Sequence, residues 1–571
     1  MYTCKPIYLK EELRMINVIK KYAPLGIVSL LLLVIGQIVE SILSTMATSS
    51  ISELFGQLGS GSIAINSVLI YMGLTIGSTA VNRAVTYYSA HVRESMSTSL
   101  RCDYFNKLLE LPVPCLQDIS IGDITTSGTT IPDMVNNVVW LPQMVLSTIA
   151  SFIAALVVFA KADWKLTLIS LALVIIFGIP FLIINVKIRP MAKEKRELEG
   201  QISDQYQRIR CYSVIKGFTK QSFESKSFYD TQKKFESVSL KKRLLNIKMS
   251  NYIMALYVIM EIVTIVYCVI TKQSPSTGIL FWGLMSKIIH PVTNLPDMLD
   301  VASLSKARLD KIKYVMEMEG EKDGNIKLDT FDSSIEFKNV SFSYDGTSDT
   351  LRNINLSINK GEKIGIYGPS GGGKSTFVNL ITRFFETSEG EILIDGVNIN
   401  RLTKNSLRKR VGLVSQNIYL FSNKTIKDNI MYGNPHATES EMIEAAKKAN
   451  AHDFIMSFPD GYDSVVGNDG VKLSGGEQQR ISIARLFLAK PDIIILDEAT
   501  SKLDNESEAI VQEAIDRLGE NKTVIAIAHR LSTIMKCDKL VGINNHTICE
   551  SGTVKELLDN KDSLFSKLSN V

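Results

Sequence analysis

The stretch EKIGIYGPSGGGKSTFVNLI, residues Glu362–Ile381, decides how the C-terminal half of this chain folds. Its first part, Lys363–Tyr367, is predicted to be a short apolar strand, and the chain from Thr376 onward is predicted to be helical. Between them, Gly368–Ser375 matches the pattern GxxxxGK(S/T) in the strand–loop–helix context that a phosphate-binding loop requires. The glycines allow backbone N–H groups to point at phosphates, and the N-terminus of the following helix favours negative charge. We therefore predict a nucleotide site.

The side chains of this loop have distinct predicted roles. Lys374 would reach the β- and γ-phosphates, and the Ser375 hydroxyl would help to hold Mg²⁺. The residues predicted to contact the nucleotide here are Gly368, Pro369, Ser370, Gly371, Gly372, Gly373, Lys374, Ser375 and Thr376.

A second acidic element is IIILDE, Ile493–Glu498. Four apolar residues predict a buried parallel strand that ends at Asp497 and Glu498, and ligands of doubly wound sheets lie at that edge. Asp497 is predicted to be an outer partner of Mg²⁺ and its waters, and Glu498 to polarise the attacking water as a general base. The alternative is that the two acids only cap a helix beginning near Ala499.

Other strand patterns complete a predicted α/β domain over residues 335–571. IEFKNVSFSY, Ile335–Tyr344, alternates apolar and polar residues as a strand does. The apolar run Thr523–Ala528 precedes His529, which places that histidine at the same sheet edge as Glu498. Residues 306–334 are predicted to be a linker.

The N-terminal half of the 571-residue chain carries most of the long apolar runs. Each is near the ~20 residues that cross a bilayer, so residues 25–305 are predicted to form a transmembrane domain of six helices, after a cytosolic N-terminal segment, 1–24. The alternative, a soluble core, would need six buried helices of membrane length. The first run is too long for a cleavable signal peptide. The predicted spans are 25–46, 62–82, 138–160, 164–187, 250–271 and 278–300.

Lysine and arginine placement predicts the orientation. Basic residues precede the first span and fill the two long segments between spans two and three and between spans four and five, whereas the 47–61 loop has none. Positive-inside counting therefore predicts that both termini and both long loops are cytoplasmic. These loops are long and helical in pattern, so the membrane helices are expected to continue into the cytosol.

Composition excludes several classes of function. A net charge of +4 without a basic, aromatic-rich stripe does not indicate nucleic-acid binding. The seven cysteines form no CxxC or Cys/His cluster, so they are interpreted as reduced thiols with no metal and no disulfide.

Between the phosphate loop and the acidic strand, LSGGEQQR, Leu473–Arg480, resembles the signature sequence of ATP-binding-cassette (ABC) ATPases. The other elements of that family follow in order, and the resemblance implies their roles. Tyr344 would stack on adenine, and Gln416 in VSQN would sense Mg²⁺ and contact the membrane domain. Asp504 in SKLD would belong to a loop that crosses between subunits, and His529 in AIAHRLST would be the switch histidine that reaches the γ-phosphate.

The membrane half resembles exporter-type ABC half-transporters, with six spans ahead of one nucleotide domain. Leu111–Thr126 and Tyr212–Glu224 are similar to the two cytosolic coupling loops of that family. The sequence departs from the family pattern at Glu477, where glutamine is usual, at Lys502, where alanine is usual, and at Asn468, where glutamate is common. These departures leave a heterodimer open, although the hydrolytic residues favour a homodimer.

The resemblance implies an ATP-driven transporter that works by alternating access. Two ATP molecules would lie at the interface between this chain and a second copy of it, or between this chain and a related half-transporter. Each ATP held by one phosphate loop would be contacted by the signature segment of the other subunit, which in this chain is Ser474, Gly475, Gly476 and Glu477. Export of a peptide, lipid or drug-like amphiphile across a bacterial inner membrane is expected. The alternatives are an exporter-fold importer of a metal–siderophore complex and an ATP-gated regulator or channel. The intramembrane ionisable residues, none of which is assigned to a substrate, are Glu40, Glu261, Lys287 and His290.

Overall fold

The computed structural model describes residues 15–59, 65–416, 418–467, 470–499, 503–527 and 534–569. Internal contacts divide the chain into two compact units. The helical unit comprises Pro6–Leu109 and Ile121–Met318, and the nucleotide unit comprises Glu319–Val571 together with Glu110–Ser120.

The helical unit is built from very long helices. Its principal elements are α1 (Met15–Tyr22), α2 (Ile27–Gly59), α3 (Ile65–Glu110), α5 (Ile121–Ala162), α6 (Trp164–Arg208), α7 (Tyr212–Gly217), α8 (Gln221–Thr271) and α9 (Pro275–Met316). The short helix α4 (Val113–Asp118) follows α3 in sequence and belongs to the nucleotide unit. A helix of 45 residues such as α6 is about 68 Å long, more than twice the ~30 Å hydrocarbon core. The long helices must therefore extend beyond a membrane, as the sequence predicts.

Five of these helices, α2, α3, α5, α6 and α8, contain an 18-residue stretch apolar enough to cross a membrane. Within the described residues, α9 is as long but does not reach that hydropathy. On α6, Ile175, Ile176, Ile179 and Ile183 are exposed. Apolar side chains on the outer surface need a lipid environment, and a helix satisfies all its backbone groups there. The predicted fold class, an α-helical membrane domain plus an α/β nucleotide-binding domain, is confirmed.

The core of the helical unit lies where α5, α6, α8 and α9 pack together. The rings of Phe159 and Phe281 stack with centroids 3.9 Å apart. Leu166 and Leu284 are completely buried beside them. Leu256 and Met260 of α8 belong to the same buried cluster, which therefore joins α8 to α9.

The nucleotide unit contains a six-stranded sheet and a four-stranded antiparallel sheet. Its strands are β1 (Ser334–Phe342), β2 (Leu351–Asn359), β3 (Lys363–Tyr367), β4 (Glu389–Ile394), β5 (Val397–Asn398), β6 (Val411–Val414), β7 (Lys424–Thr425), β8 (Val465–Val466), β9 (Ile493–Asp497), β10 (Thr523–Ile527), β11 (Lys539–Asn544) and β12 (Thr547–Gly552). The strand orders are β12-β11-β3-β10-β9-β6 in the larger sheet and β2-β1-β4-β5 in the smaller.

The helices of this unit cover the larger sheet and form a helical subdomain. They are α10 (Lys374–Ile381), α11 (Lys404–Arg410), α12 (Ile426–Met431), α13 (Glu439–Lys448), α14 (His452–Met456), α15 (Gly475–Ala489), α16 (Asn505–Leu518), α17 (Val554–Asp559) and α18 (Leu564–Ser569).

The larger sheet is parallel except at β12. Its central strands are buried on both faces, with Ile364, Ile366, Ile495 and Ile525 fully inaccessible. This explains why the sequence shows continuous apolar runs here rather than alternation. The predicted strand at Lys363–Tyr367 is confirmed. The strand β9 covers the four apolar residues of the predicted strand and also Asp497. The strand β10 covers Thr523–Ile527, and Ala528, the last residue of that predicted strand, lies outside the described residues.

Candidate functional site

The candidate site lies at the edge of the larger sheet where its parallel strands end. Gly368 directly follows β3, and Glu498 directly follows β9. Gln416 lies two residues beyond the end of β6. Because the strands are parallel and adjacent, their carboxyl ends meet at one edge. His529 follows β10 but lies outside the described residues.

The loop after β3 adopts a conformation that only glycine allows at two positions. Gly368 has a φ of +147°, and a Cβ there would lie 2.0 Å from the carbonyl oxygen of Ile543. Gly373 has a φ of +97°, and its Cβ would lie 2.6 Å from the carbonyl oxygen of Thr350. Side chains are therefore excluded, and the backbone of the loop is free to face a ligand directly.

Lys374 begins α10, and its side chain is only 6% exposed. The ammonium donates to the carbonyl oxygens of Gly368 (3.0 Å) and Pro369 (2.9 Å). Burial lowers the pKa of Lys374, while the charges of Glu498 and Asp497 act in the opposite direction. The positive charge is thus held under the loop, close to both acids that the sequence singles out.

The Ser375 hydroxyl faces the end of β9. Its Oγ lies 3.4 Å from Oδ1 of Asp497, to which it donates a hydrogen bond. The described residues contain no group of three or more His, Cys, Asp or Glu side chains arranged to hold a metal. The Ser375 hydroxyl and the Asp497 carboxylate are groups at this point that could hold a cation.

Glu498 follows the strand directly and has a left-handed backbone, with a φ of +49°. Its N–H donates to the carbonyl oxygen of Ile527 over 3.0 Å, and the amide of Gln416 donates to its Oε2 over 2.6 Å. A left-handed conformation costs a residue other than glycine about 1–3 kcal/mol, and such strain is concentrated at functional sites. The strand end and Gln416 together fix the direction of this carboxylate.

Tyr344 lies two residues beyond β1 and is 55% exposed. Its hydroxyl is 2.9 Å from Oγ1 of Thr376, and its ring packs edge-on against Phe342 and Phe385. The ring is therefore held rigidly beside the phosphate loop with part of its surface accessible. Phe342 and Phe385, which support the Tyr344 ring, are not among the site residues predicted from the sequence. Phe342 lies only two residues before Tyr344, whereas no local sequence pattern indicates Phe385.

The signature segment forms the N-terminus of α15. Ser474 caps the helix in a reciprocal box: Glu477 N–H donates to Ser474 Oγ over 3.3 Å, and Ser474 N–H donates to Glu477 Oε2 over 2.7 Å. The Ser474 hydroxyl also donates to Oε2 of Glu477 over 2.9 Å. A Cβ on Gly476 would lie 2.9 Å from that of Ser507, so glycine permits the close approach of α15 and α16. Gly475 lies beside Leu503.

Asp504 has a structural role in this chain as the N-cap of α16. Its Oδ2 accepts the N–H of Ser507 over 3.1 Å, and hydrogen bonds from Ser507 lower the pKa of Asp504. The departures at Asn468 and Lys502 lie outside the described residues.

Comparisons with known proteins agree with this arrangement. Residues 26–289 match the family model of the ABC transporter transmembrane region, and residues 351–501 match the ABC transporter family model. The putative multidrug export ATP-binding/permease protein YgaD of Bacillus subtilis is 36% identical over 491 residues, 83% of each chain. A putative multidrug export ATP-binding/permease protein of Staphylococcus aureus is 39% identical over 452 residues, 76% of this chain and 77% of that protein.

A solved structure is similar over most of the chain. A bacterial Atm1-family ABC exporter with ATP bound superposes with a TM-score of 0.76 at 25% sequence identity, covering 94% of this chain and 97% of its own. The two family matches cover the long helices up to residue 289 and the strand ends described above. The chain therefore belongs to the ABC transporter family, as an integral multi-pass membrane protein that binds ATP and couples its hydrolysis to transport.

Proposed function

We propose that two copies of this chain form an exporter of a peptide, lipid or drug-like amphiphile, driven by ATP bound at the edge of the larger sheet. The observation that carries the proposal is the convergence of Lys374, Gln416 and Glu498 on that edge. The names of the similar proteins, which describe multidrug export and an ABC exporter, support the direction and the kind of cargo.

In this proposal the phosphates lie along the loop Gly368–Thr376, and the adenine lies against the exposed part of Tyr344. The Lys374 ammonium would turn from its loop carbonyls to the β- and γ-phosphates, since a charge-assisted bond to phosphate is stronger than one to a neutral carbonyl. Glu498 accepts the proton of the attacking water, and Gln416 keeps the carboxylate in position. His529 would contact the γ-phosphate.

The residues at the end of β9 fit Mg²⁺. This ion is usually bound through one or two carboxylates together with substrate phosphates. The Ser375 hydroxyl, the Asp497 carboxylate and the Gln416 side chain would hold it, and the paired Ser375 and Asp497 side chains supply such a set. When bound, Mg²⁺ neutralises charge on the phosphate oxygens.

A second copy of the chain would complete each site. The N-terminus of α15 offers backbone N–H groups at Gly475 and Gly476, together with the Ser474 hydroxyl, to the γ-phosphate bound by the other copy. ATP must bind the closed pair better than the open pair, because otherwise it cannot shift the equilibrium. The termini are proposed to be cytoplasmic and the membrane to be the bacterial inner membrane.

ATP hydrolysis by the full chain, purified alone and placed in lipid, tests the site. Glu498→Gln should abolish hydrolysis and retain ATP binding, since the amide is a poor base of nearly the same shape. Glu389→Gln, an exposed carboxylate on β4, serves as the matched control and should hydrolyse ATP as the wild type does. Hydrolysis by Glu498→Gln close to the wild-type rate would refute the assignment of the base.

Transport in sealed vesicles tests the direction. With the nucleotide unit facing the outer solution, an exporter accumulates a fluorescent amphiphile inside when ATP is added. ATP-dependent release of preloaded cargo would instead support import, and ATP-dependent leak in both directions would support a gated channel.

A further inference from the structure

A groove between α8 and α9 is a separate feature of the helical unit. It encloses about 770 Å³ and is lined mainly by apolar side chains, including Ile265, Val269 and Ile279. This volume lies within the range of small-molecule sites, which combine apolar walls with a few polar groups. The polar groups of interest here are Glu261 and Trp282.

Glu261 lies deep within the proposed membrane. It precedes the end of α8 at Thr271 by ten residues, or about 15 Å at 1.5 Å per residue, which is roughly half of the hydrocarbon thickness. It is also close to the centre of the predicted span 250–271. A carboxylate at that depth is costly, and residues of this kind usually have a function. Lys272 also lines the groove, but it begins the loop after α8, so its ammonium can reach the membrane surface.

The partner of Glu261 is an aromatic side chain. The indole N–H of Trp282 donates a hydrogen bond to Oε1 of Glu261. Because an indole is neutral, this bond orients the carboxylate without compensating its charge. Trp282 is 64% exposed, so a ligand can reach its ring. A carboxylate beside an accessible indole face is the combination that attracts an organic cation.

Two other ionisable residues of the spans, Glu40 and Lys287, are engaged within the helix bundle. Glu40 accepts hydrogen bonds from Gln37 (3.2 Å) and Ser78 (3.3 Å). Lys287 donates to the hydroxyls of Ser44 (3.0 Å) and Thr45 (2.8 Å) on α2.

The Lys287 ammonium also points away from the groove. Lys287 follows Trp282 by five residues on α9, which turns it about 140° around the helix, toward α2. The negative charge of Glu261 therefore dominates the interior of the groove.

We propose that this groove binds a bulky organic cation with an apolar body, held by the Glu261 carboxylate and the face of Trp282. The assignment of this ligand as cargo rests on the proposed function, whereas the binding site itself does not.

Two ions of the same shape and opposite charge test the proposal directly. The full chain in nanodiscs of zwitterionic lipid is titrated with tetraphenylphosphonium or with tetraphenylborate, and empty nanodiscs are used to subtract partitioning into lipid. The cation should bind saturably and the anion should not. Glu261→Gln should weaken binding of the cation by about tenfold or more, which corresponds to about 1.4 kcal/mol. Trp282→Phe should weaken it less, because the smaller ring retains an aromatic face.

Glu40→Gln is the matched control, since it removes a second intramembrane carboxylate that is engaged by Gln37 and Ser78, and it should bind the cation as the wild type does. Thermal unfolding and ATP affinity, measured for each variant, verify that the chain is folded. Equal binding of the two ions, unchanged binding in Glu261→Gln, or no saturable binding to the wild type would overturn the proposal. A wild type that binds the cation but does not transport it in sealed vesicles would refute the assignment of this ligand as cargo and leave the binding site intact.

Discussion

The side-chain amide of Gln416 donates to Oε2 of Glu498 over 2.6 Å, although 82 residues separate the two in sequence. Hydrogen bonds to an ionised acceptor are short and about twice as strong as neutral ones. Glu498 already has a left-handed backbone imposed by the end of β9. The position of its carboxylate therefore depends on two elements, the strand that presents it and the amide that orients it.

Gln416→Ala should lower the kcat of ATP hydrolysis more than it changes the affinity for ATP. A hydrogen bond to a charged group contributes about 1.5–3 kcal/mol, so its loss in the transition state predicts a fall of about 10- to 150-fold. The kcat and KM of the variant in lipid check this expectation. Gln512→Ala is the matched control, because Gln512 donates to the carboxylate of Asp516 over 2.8 Å on α16. If the two variants lost activity equally, the Gln416 contact would have no special role.

Glu477→Gln should strengthen the proposed closure of the paired nucleotide units. Glutamate and glutamine both occur at this position of a capping box, so a glutamine there can keep the hydrogen bonds with Ser474. The helix α15 should therefore remain folded. The substitution would remove a negative charge from this helix N-terminus. That charge repels a phosphate group bound at the same helix end, so its removal should favour ATP binding. Charges near helix ends are worth about 0.3–1 kcal/mol, which predicts a KM for ATP that is about two- to fivefold lower.

The chain contains a matched control for this prediction. Thr438 and Glu441 form the same reciprocal capping box at the start of α13. Glu441→Gln should leave the KM for ATP unchanged, because that helix is not part of the proposed site. A KM that falls equally in both variants would point to a general effect of net charge, and the inference for Glu477 would fail.

The parts of the site that are contiguous in sequence could be predicted from sequence. The phosphate loop and the acidic strand have fixed spacing and obligatory residue types, so Lys363–Tyr367 and the strand before Asp497 are recognisable without a structure. Contacts between distant segments carry no such signal. The support of Tyr344 by Phe385 depends on how β1 and the segment after α10 fold together.

The membrane half shows the same division. Long apolar runs predict helices, but the apolar pattern does not indicate which polar side chains are engaged by a neighbouring helix. Glu40 and Glu261 are similar as sequence features, and the structure separates them: one accepts hydrogen bonds inside the bundle and the other faces a groove beside Trp282.

Cys537 should resist alkylation in the folded chain. Burial raises the pKa of its thiol to about 12. The thiolate is the reactive species, so its fraction near neutral pH is about a thousandfold lower than that of a thiol with a pKa of 9. Cys102 and Cys211 are exposed and should react with iodoacetamide first. Mass spectrometry of timed reactions measures this order, and unfolding in urea should bring Cys537 to a comparable rate. Rapid labelling of Cys537 in the native chain would contradict the buried environment.

Tyr367 should make the stability of the nucleotide unit fall at high pH. It is 3% exposed, and its hydroxyl donates to Glu550, which also accepts the N–H groups of Leu564 (3.0 Å) and Phe565 (2.9 Å). Burial and the Glu550 carboxylate raise the pKa of Tyr367 above its usual value near 10. Below pH 10 both the folded and the unfolded chain keep this proton, and the bond stabilises the fold in full. Above pH 10 the unfolded chain releases the proton while the folded chain retains it, so stability is progressively lost.

Tyr367→Phe removes both the bond and this titration. The variant should be less stable than the wild type by about 1.5–3 kcal/mol below pH 10, because the bond is made to a charged group. The difference should shrink as the pH rises from 10 to 11, since only the wild type loses stability by this route. The midpoint of heat inactivation of ATP binding, measured for both chains at each pH, follows the effect. Tyr419→Phe, which alters a phenol that is 77% exposed, controls for the loss of a hydroxyl and should follow the wild type at every pH. A difference between wild type and Tyr367→Phe that stays constant up to pH 11 would mean that the Tyr367 phenol ionises equally in the folded and unfolded chain.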